Sequence, residues 1–165
     1  MKKENITLVG MPGAGKSTVG VVLAKIAGYH FLDSDLLIQQ KTGKLLHELI
    51  TEHGDEGFLE IENRVNAGLT VDKTVIATGG SAVFGEDAMK HLQEISTVVY
   101  LRKLERRLRN IKNRGVVLRP GQTLKDLVDY RTPYYEKYAD LIVDEENLDI
   151  RGVVERIVSA LESVE

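Results

Sequence analysis

Apolar residues in this chain alternate between short continuous runs and longer stretches with helical spacing. Ile6, Thr7, Leu8 and Val9 form the first run, and Val19, Val22, Leu23 and Ile26 recur behind it at i, i+3, i+4 and i+7. The first reads as a buried strand, the second as a helix packed on a sheet. Gly28 then predicts a helix end and His30–Asp33 a second strand. Residues 36–53 predict a helix broken near Thr42-Gly43, and a further helix from Asp55 turns Phe58, Ile61, Val65 and Leu69 inward. Its neighbouring face, Leu59, Glu62, Asn63 and Asn66, is mostly polar. Thr74–Ala77, Thr97–Leu101 and Leu141–Val143 predict three more strands, separated by helices near 86–94, at Leu104, Leu108 and Ile111, and after the capping pair Thr123 and Asp126. A last helix carries Ile150, Val153, Val154, Ile157, Val158 and Leu161 on one stripe. The alternation predicts one α/β unit with about five short strands between helices.

Between the first strand and first helix lies Gly10-Met11-Pro12-Gly13-Ala14-Gly15-Lys16-Ser17-Thr18, a complete G-x-x-x-x-G-K-[ST] phosphate-loop pattern in the strand–loop–helix context it requires. Glycines remove the Cβ atoms that would block close approach, so backbone N–H groups and the helix N-terminus converge on phosphate oxygens. Gly13, Ala14, Gly15, Lys16, Ser17 and Thr18 are therefore the candidate nucleotide-binding residues. Lys16 supplies charge for the β/γ-phosphates, and Ser17 a hydroxyl for Mg²⁺.

Composition narrows the partners. The 165 residues suit one domain, 1–165, with 42% hydrophobic and 28% charged residues, a net charge of −3 and no cysteine. That balance argues against a general nucleic-acid binder, a disulfide framework or a thiolate metal site. No apolar run approaches the ~18 residues of a membrane span, and the N-terminus leads straight into a strand; a cytoplasmic protein without membrane or nucleic-acid partners is expected. One segment departs from the acidic average. From Arg102 to Arg119 eight Lys/Arg face only Glu105, and the run flows into Asn113-Arg114-Gly115, ending at Arg119-Pro120-Gly121. A solvated helix face would explain much of it. A lid at about 112–123, closing positive charge over a nucleotide, has the same composition.

Two further groups stand at predicted strand ends. Asp33 and Asp35, at i and i+2, would project to one side of an extended tip, towards one metal and one substrate. Helix capping by Ser34 or Asp35, with Asp33 incidental, is the simpler reading without the phosphate loop. Gly79-Gly80-Ser81 follows the central strand, where glycines let a ligand touch the backbone; a plain strand-to-helix turn would look similar. The four histidines, His30, His47, His53 and His91, lack metal-ligand spacing, and there is no G-x-S-x-G serine elbow.

Taken in order, the early phosphate loop, Asp33-x-Asp35, Thr42-Gly43, Gly57-Phe58, Glu62, Gly79-Gly80, the basic segment and Arg131-x-Pro133-x-Tyr135-x-x-x-Ala139-Asp140 resemble the shikimate kinases. The resemblance spans nearly the whole chain. It implies a three-layer α/β/α P-loop NTPase fold of the nucleoside monophosphate kinase kind, with a five-stranded parallel sheet, a mobile lid and a substrate-binding helical segment at about 34–70. It also implies ATP-dependent phosphorylation of a hydroxyl on shikimate by a monomer. In that scheme Lys16 and Ser17 meet the phosphates and Mg²⁺, Asp33 holds the metal through water, and Asp35 binds the accepting hydroxyl as its base. An ionised base makes turnover fall at acidic pH. Gly79 and Gly80 pack against the substrate, Arg131 holds its carboxylate, Arg107 and Arg119 serve the nucleotide, and Arg114 is the lid arginine at the transferring phosphoryl, with Arg119 as the alternative.

One departure bears on the acceptor. Where the family has Phe-Arg-x-x-Glu, this chain has Phe58-Leu59-Glu60-Ile61-Glu62, so Leu59 stands in the place of a second carboxylate-binding arginine. Arg64, a little over one turn on, is poorly angled to replace it. Ser81 stands for a third glycine, and the lid is several residues shorter. A lost charged hydrogen bond is worth about 1.5–3 kcal/mol, enough to change the preferred acceptor. A kinase for a different hydroxylated acid or polyol is thus the alternative, and a non-catalytic ATP-binding module the alternative of another class; a sensor has no use for both Asp33 and Asp35. A nucleoside monophosphate kinase would need a second base-recognition pattern, and none is seen.

Overall fold

The computed structural model describes residues 3–103 and 120–163. Five parallel strands form one sheet: β1 (Asn5–Val9), β2 (His30–Asp33), β3 (Thr74–Ala77), β4 (Ser96–Arg102) and β5 (Leu141–Asp144), in the spatial order β2-β3-β1-β4-β5. The phosphate-loop strand is central, pairing Ile6 with Val75 on one side and Thr97 on the other. Among the described residues six helices connect and cover the strands: α1 (Lys16–Ala27), α2 (Ser34–Thr42), α3 (Leu46–Ala67), α4 (Glu86–Ile95), α5 (Leu124–Tyr138) and α6 (Ile150–Ser163).

Because successive strand residues face opposite sides, the sheet supplies two cores. Ile6, Leu8, Val75 and Val99 pack with Val19, Leu23, Val154 and Ile157 of α1 and α6. Val9, Ile76, Val98 and Tyr100 pack with Met89 and Leu92 of α4 and with Leu127 and Tyr135 of α5. Helices on both faces make the three-layer α/β/α arrangement. A third cluster, Ile38, Leu49, Phe58 and Val65, joins α2 to α3 beside the sheet.

Local chemistry explains the helix ends. Gly28 and Gly43 close α1 and α2 in the left-handed region, at φ 72° and 70°. Thr123 and Asp126 form the reciprocal capping box of α5. At Gly54, φ 74° and ψ 176°, α3 kinks, next to the helix start expected at Asp55.

Two expectations, on Ile26 and Ile150, are corrected. The buried face of α1 is Lys16, Val19, Gly20, Leu23 and Ala24, whereas Ile26 is 58% exposed. Gly20 turns that face inward because its missing side chain admits the Phe31 ring, whose Cε2 would lie 2.7 Å from a Cβ at residue 20. Ile150, at the first turn of α6, is exposed rather than part of the docking stripe. The polar face of α3 is covered: Glu62 and Asn66 are 2% and 0% exposed, since that side meets α4 and the 3₁₀ turn Ala82–Phe84.

Candidate active site

The phosphate loop joins the central strand to α1. Gly13 and Gly15 both take φ 86°, a region disfavoured for residues with a Cβ, and Gly15 is the N-cap of α1 without any side-chain cap. The first helical N–H groups are thereby left to an anionic ligand rather than to a capping oxygen. Lys16 is buried and folds back over the loop, its Nζ donating to Gly10 O at 2.6 Å and Met11 O at 2.9 Å. Ala14 is buried beneath the loop, and Thr18 is exposed at its outer edge.

Asp33 makes two contacts, one through each carboxylate oxygen. Its Oδ1 accepts from the N–H groups of Asp35 at 2.9 Å and Leu36 at 3.3 Å, so Asp33 itself caps α2; Ser34 and Asp35 do not. Its Oδ2 accepts from the Ser17 hydroxyl at 3.1 Å. Asp35 consequently lies in the first turn of α2, not on an extended strand tip, and the i, i+2 strand argument is corrected. Helical geometry still turns its side chain towards the end of β3, where Oδ1 would lie 2.7 Å from a Cβ at residue 79.

The Gly79-Gly80 turn follows β3 and is closely approached by side chains from α2, α3, α5 and the phosphate loop. A side chain on Gly79 would meet Asp35 Oδ1 and Glu62 Oε2; one on Gly80 would meet the Pro12 ring at 2.5 Å and Arg131 Nη1 at 2.9 Å. Here both glycines answer to close approach rather than to turn geometry. Tyr135, fully buried and stacked on Tyr100 at 5.1 Å, donates from its hydroxyl to Gly80 O at 2.7 Å and so anchors the turn to α5. Arg131, one turn earlier on α5, holds its guanidinium 5.6 Å from the Phe84 ring centre.

Glu62 is the residue that reasoning from local patterns missed as part of this cluster. Its Oε1 accepts from the Ser81 hydroxyl at 2.7 Å, while Oε2 is buried without a hydrogen-bond partner among the described residues. Burial, with Asp35 beside it, pushes its carboxyl up to about 7, against the opposing pull of Ser81, Arg131 and Lys16. Burial and then the charge of Asp33 also raise Asp35, with Lys16 opposing. The signal was its place one turn after Phe58, and a serine four residues past the end of β3. Leu59, one turn before Glu62, is half-buried, and Arg64 is exposed.

A cavity of about 770 Å³ runs from the other side of the phosphate loop, past Ala14, Gly15 and Thr18, to the segment after β5, where Glu145, Leu148 and Asp149 line it. Glu145 is 8% exposed, its Oε2 has no hydrogen-bond partner among the described residues, and burial raises its carboxyl to about 7, opposed by Lys103 and Lys16. Nothing in the local sequence after β5 marked this wall. Arg107, Arg114 and Arg119, the expected nucleotide and lid arginines, lie outside the described residues, as does most of the lid at 112–123.

The family model described as "Shikimate kinase" matches residues 12–162. The chain belongs to the shikimate kinase family. Among its relatives, the shikimate kinase of Histophilus somni is 34% identical over 171 residues, covering 99% of this chain and 98% of that one. That of Methylococcus capsulatus is 37% identical over 168 residues, covering 97% and 93%. The structure of shikimate kinase from Acinetobacter baumannii in complex with shikimate superposes with a TM-score of 0.87 at 35% identity, covering 98% and 94% of the two chains. A gluconokinase from Sinorhizobium meliloti, at 18% identity and TM-score 0.56, shares the fold. As a shikimate kinase family member the chain is an ATP-binding P-loop phosphotransferase acting on a small hydroxylated molecule. Among the described residues, no helix is long and apolar enough to cross a membrane.

Proposed function

We propose that this shikimate kinase family member transfers the terminal phosphoryl group of ATP to a hydroxyl of a small hydroxylated carboxylic acid, with shikimate as the acceptor and shikimate 3-phosphate as the product. The observation that carries this reading is the Gly79-Gly80 turn, flanked by the Asp35 carboxylate on one side and the Arg131 guanidinium on the other, next to the phosphate loop. An anionic acceptor lying on the turn would put its carboxylate at Arg131 and an alcohol at Asp35. Asp35 would take the hydroxyl proton as the alcohol oxygen bonds to the γ-phosphorus, and the bond from that phosphorus to the β–γ bridging oxygen breaks to release ADP.

The phosphate loop amides, Lys16 and Thr18 would hold the polyphosphate, with the cavity beyond Ala14 and Gly15 taking the rest of the nucleotide. Ser17 Oγ and Asp33 Oδ2 suit Mg²⁺: both are hard oxygen donors, 3.1 Å apart. The described residues hold no cluster of three or more His, Cys, Asp or Glu side chains that could bind a metal. A sparse protein donor set is what a cation sharing water and phosphate oxygens requires. When bound, Mg²⁺ supplies charge neutralisation at the phosphates. The residues at about 34–70 would form the substrate-binding segment, and Arg107, Arg114 and Arg119 remain the lid and nucleotide arginines of the proposal.

Leu59 favours a second reading of the acceptor, a different hydroxylated acid or a polyol, because Arg131 is then the lone arginine proposed for its carboxylate. ADP release over shikimate, quinate, gluconate and homoserine tests both. Shikimate turning over best supports the first. Indifference to shikimate, together with its recovery in Leu59→Arg, transfers the proposal to another acceptor.

A further inference from the structure

A second cavity, of about 620 Å³, lies between α2 and the kinked α3. None of Asp35, Leu59, Glu62, Gly79, Gly80 or Arg131 lines it. Its floor is apolar: Leu49 and Val65 are buried there and Ile61 is half-buried. Gly57 opens the middle, because a Cβ there would sit 2.6 Å from His53 Cβ across the kink.

The rim carries the opposite chemistry. Lys41 at the end of α2 and Arg64 on α3 both border the cavity, and neither forms an ion pair among the described residues. Lys44 is paired with Glu52, so these two neutralise one another in part. Glu60 is the one acid among the lining residues. Two unpaired cations beside an apolar floor, in a protein whose net charge is −3, give this groove a local sign opposite to that of the whole chain. Its volume falls within the range of small-molecule sites, roughly 300–1,000 Å³.

We propose that this cavity is a second binding site, for a small aromatic or cyclic carboxylate whose ring lies on Leu49, Ile61 and Val65 and whose anionic group meets Lys41 and Arg64. The ligand would bridge the two helices whose other positions are Asp35 in α2 and Glu62 in α3, so it would act on the acceptor site through them. The cavity also gives Arg64 a place: the residue faces here, not the acceptor site.

The test rests on the acceptor-site assignment only for its control. Backbone amide shifts of the full chain are followed on titration with 2-naphthoate and with its uncharged isostere 2-naphthamide. Expected are saturable shifts concentrated in residues 41–65, with the amide binding about 10-fold more weakly or worse. In Lys41→Gln/Arg64→Gln the naphthoate affinity should fall by at least about 10-fold, while Arg131→Gln should leave it unchanged. Equal binding of the two ligands, or no saturable shifts in 41–65, overturns the site. So does loss of naphthoate binding in Arg131→Gln with the double variant unaffected, which would put the anion in the acceptor site. Failure of the proposed kinase reading shows separately, as absent turnover in the acceptor panel with this titration unaltered.

Discussion

The Ser17 hydroxyl donates to Asp33 Oδ2 at 3.1 Å while the other oxygen of the same carboxylate caps α2. Asp33 thereby ties the phosphate loop to the helix that carries Asp35. The two roles separate by substitution. Asparagine keeps a capping oxygen and loses the charge, so Asp33→Asn should melt near the wild-type temperature but need far more Mg²⁺ for turnover. Asp33→Ala should also lose about 1 kcal/mol of stability. Equal melting of the two variants would remove the cap from the account; an unchanged Mg²⁺ requirement in both would remove the metal role.

Asp35→Asn should lower kcat by roughly 10²- to 10⁴-fold with ATP affinity nearly unchanged, measured by ADP release and by nucleotide calorimetry. Because burial raises the Asp35 carboxyl, the acidic limb of kcat/KM should lie above the ordinary carboxylate range. A profile flat through the acid range contradicts the assignment of Asp35 as base.

Gly79→Ala should cost far more activity than stability. Its methyl group would meet Asp35 Oδ1 at 2.7 Å and Glu62 Oε2 at 3.1 Å, and the carboxylates rather than the sheet must give way. A loss of about 100-fold in kcat/KM with a small change in melting temperature is expected. Retained activity would mean that the acceptor does not lie on this turn.

Glu62 makes the unliganded protein pH-sensitive in a definite direction. Its carboxyl is raised from 4.5 to about 7 in the folded state, so the native form binds a proton that the unfolded chain releases. That contribution is fully present below pH ~4.5, declines as pH rises and is gone above about 7; its size is on the order of 3 kcal/mol. Denaturant unfolding at pH 5.5 and 8 should show higher stability at the lower value, and Glu62→Gln should flatten the difference. Glu145, raised for the same reason, leaves a residual slope of the same sign. Stability rising with pH over that interval in the wild type would contradict a protonated buried Glu62.

The linear order of residues was enough to determine an α/β alternation with about five strands and the phosphate loop, because each rests on short-range physics: strand and helix periods, glycines at left-handed positions, a capping pair at Thr123 and Asp126; the three layers and the parallel sheet were implied by the family resemblance. Phe58-Leu59-Glu60-Ile61-Glu62 also exposed the missing arginine. Only the tertiary structure decided what faces what. Asp33 became both cap and Ser17 partner once β2 lay beside β3, one strand away from the phosphate loop. Glu62 and Asn66 became interior when the polar side of α3 met α4, and Ile26 became exterior because Gly20 let Phe31 approach. Arg64 turned to its own groove rather than to the acceptor site. Burial and desolvation arise from packing between segments distant in sequence, and no local pattern encodes them.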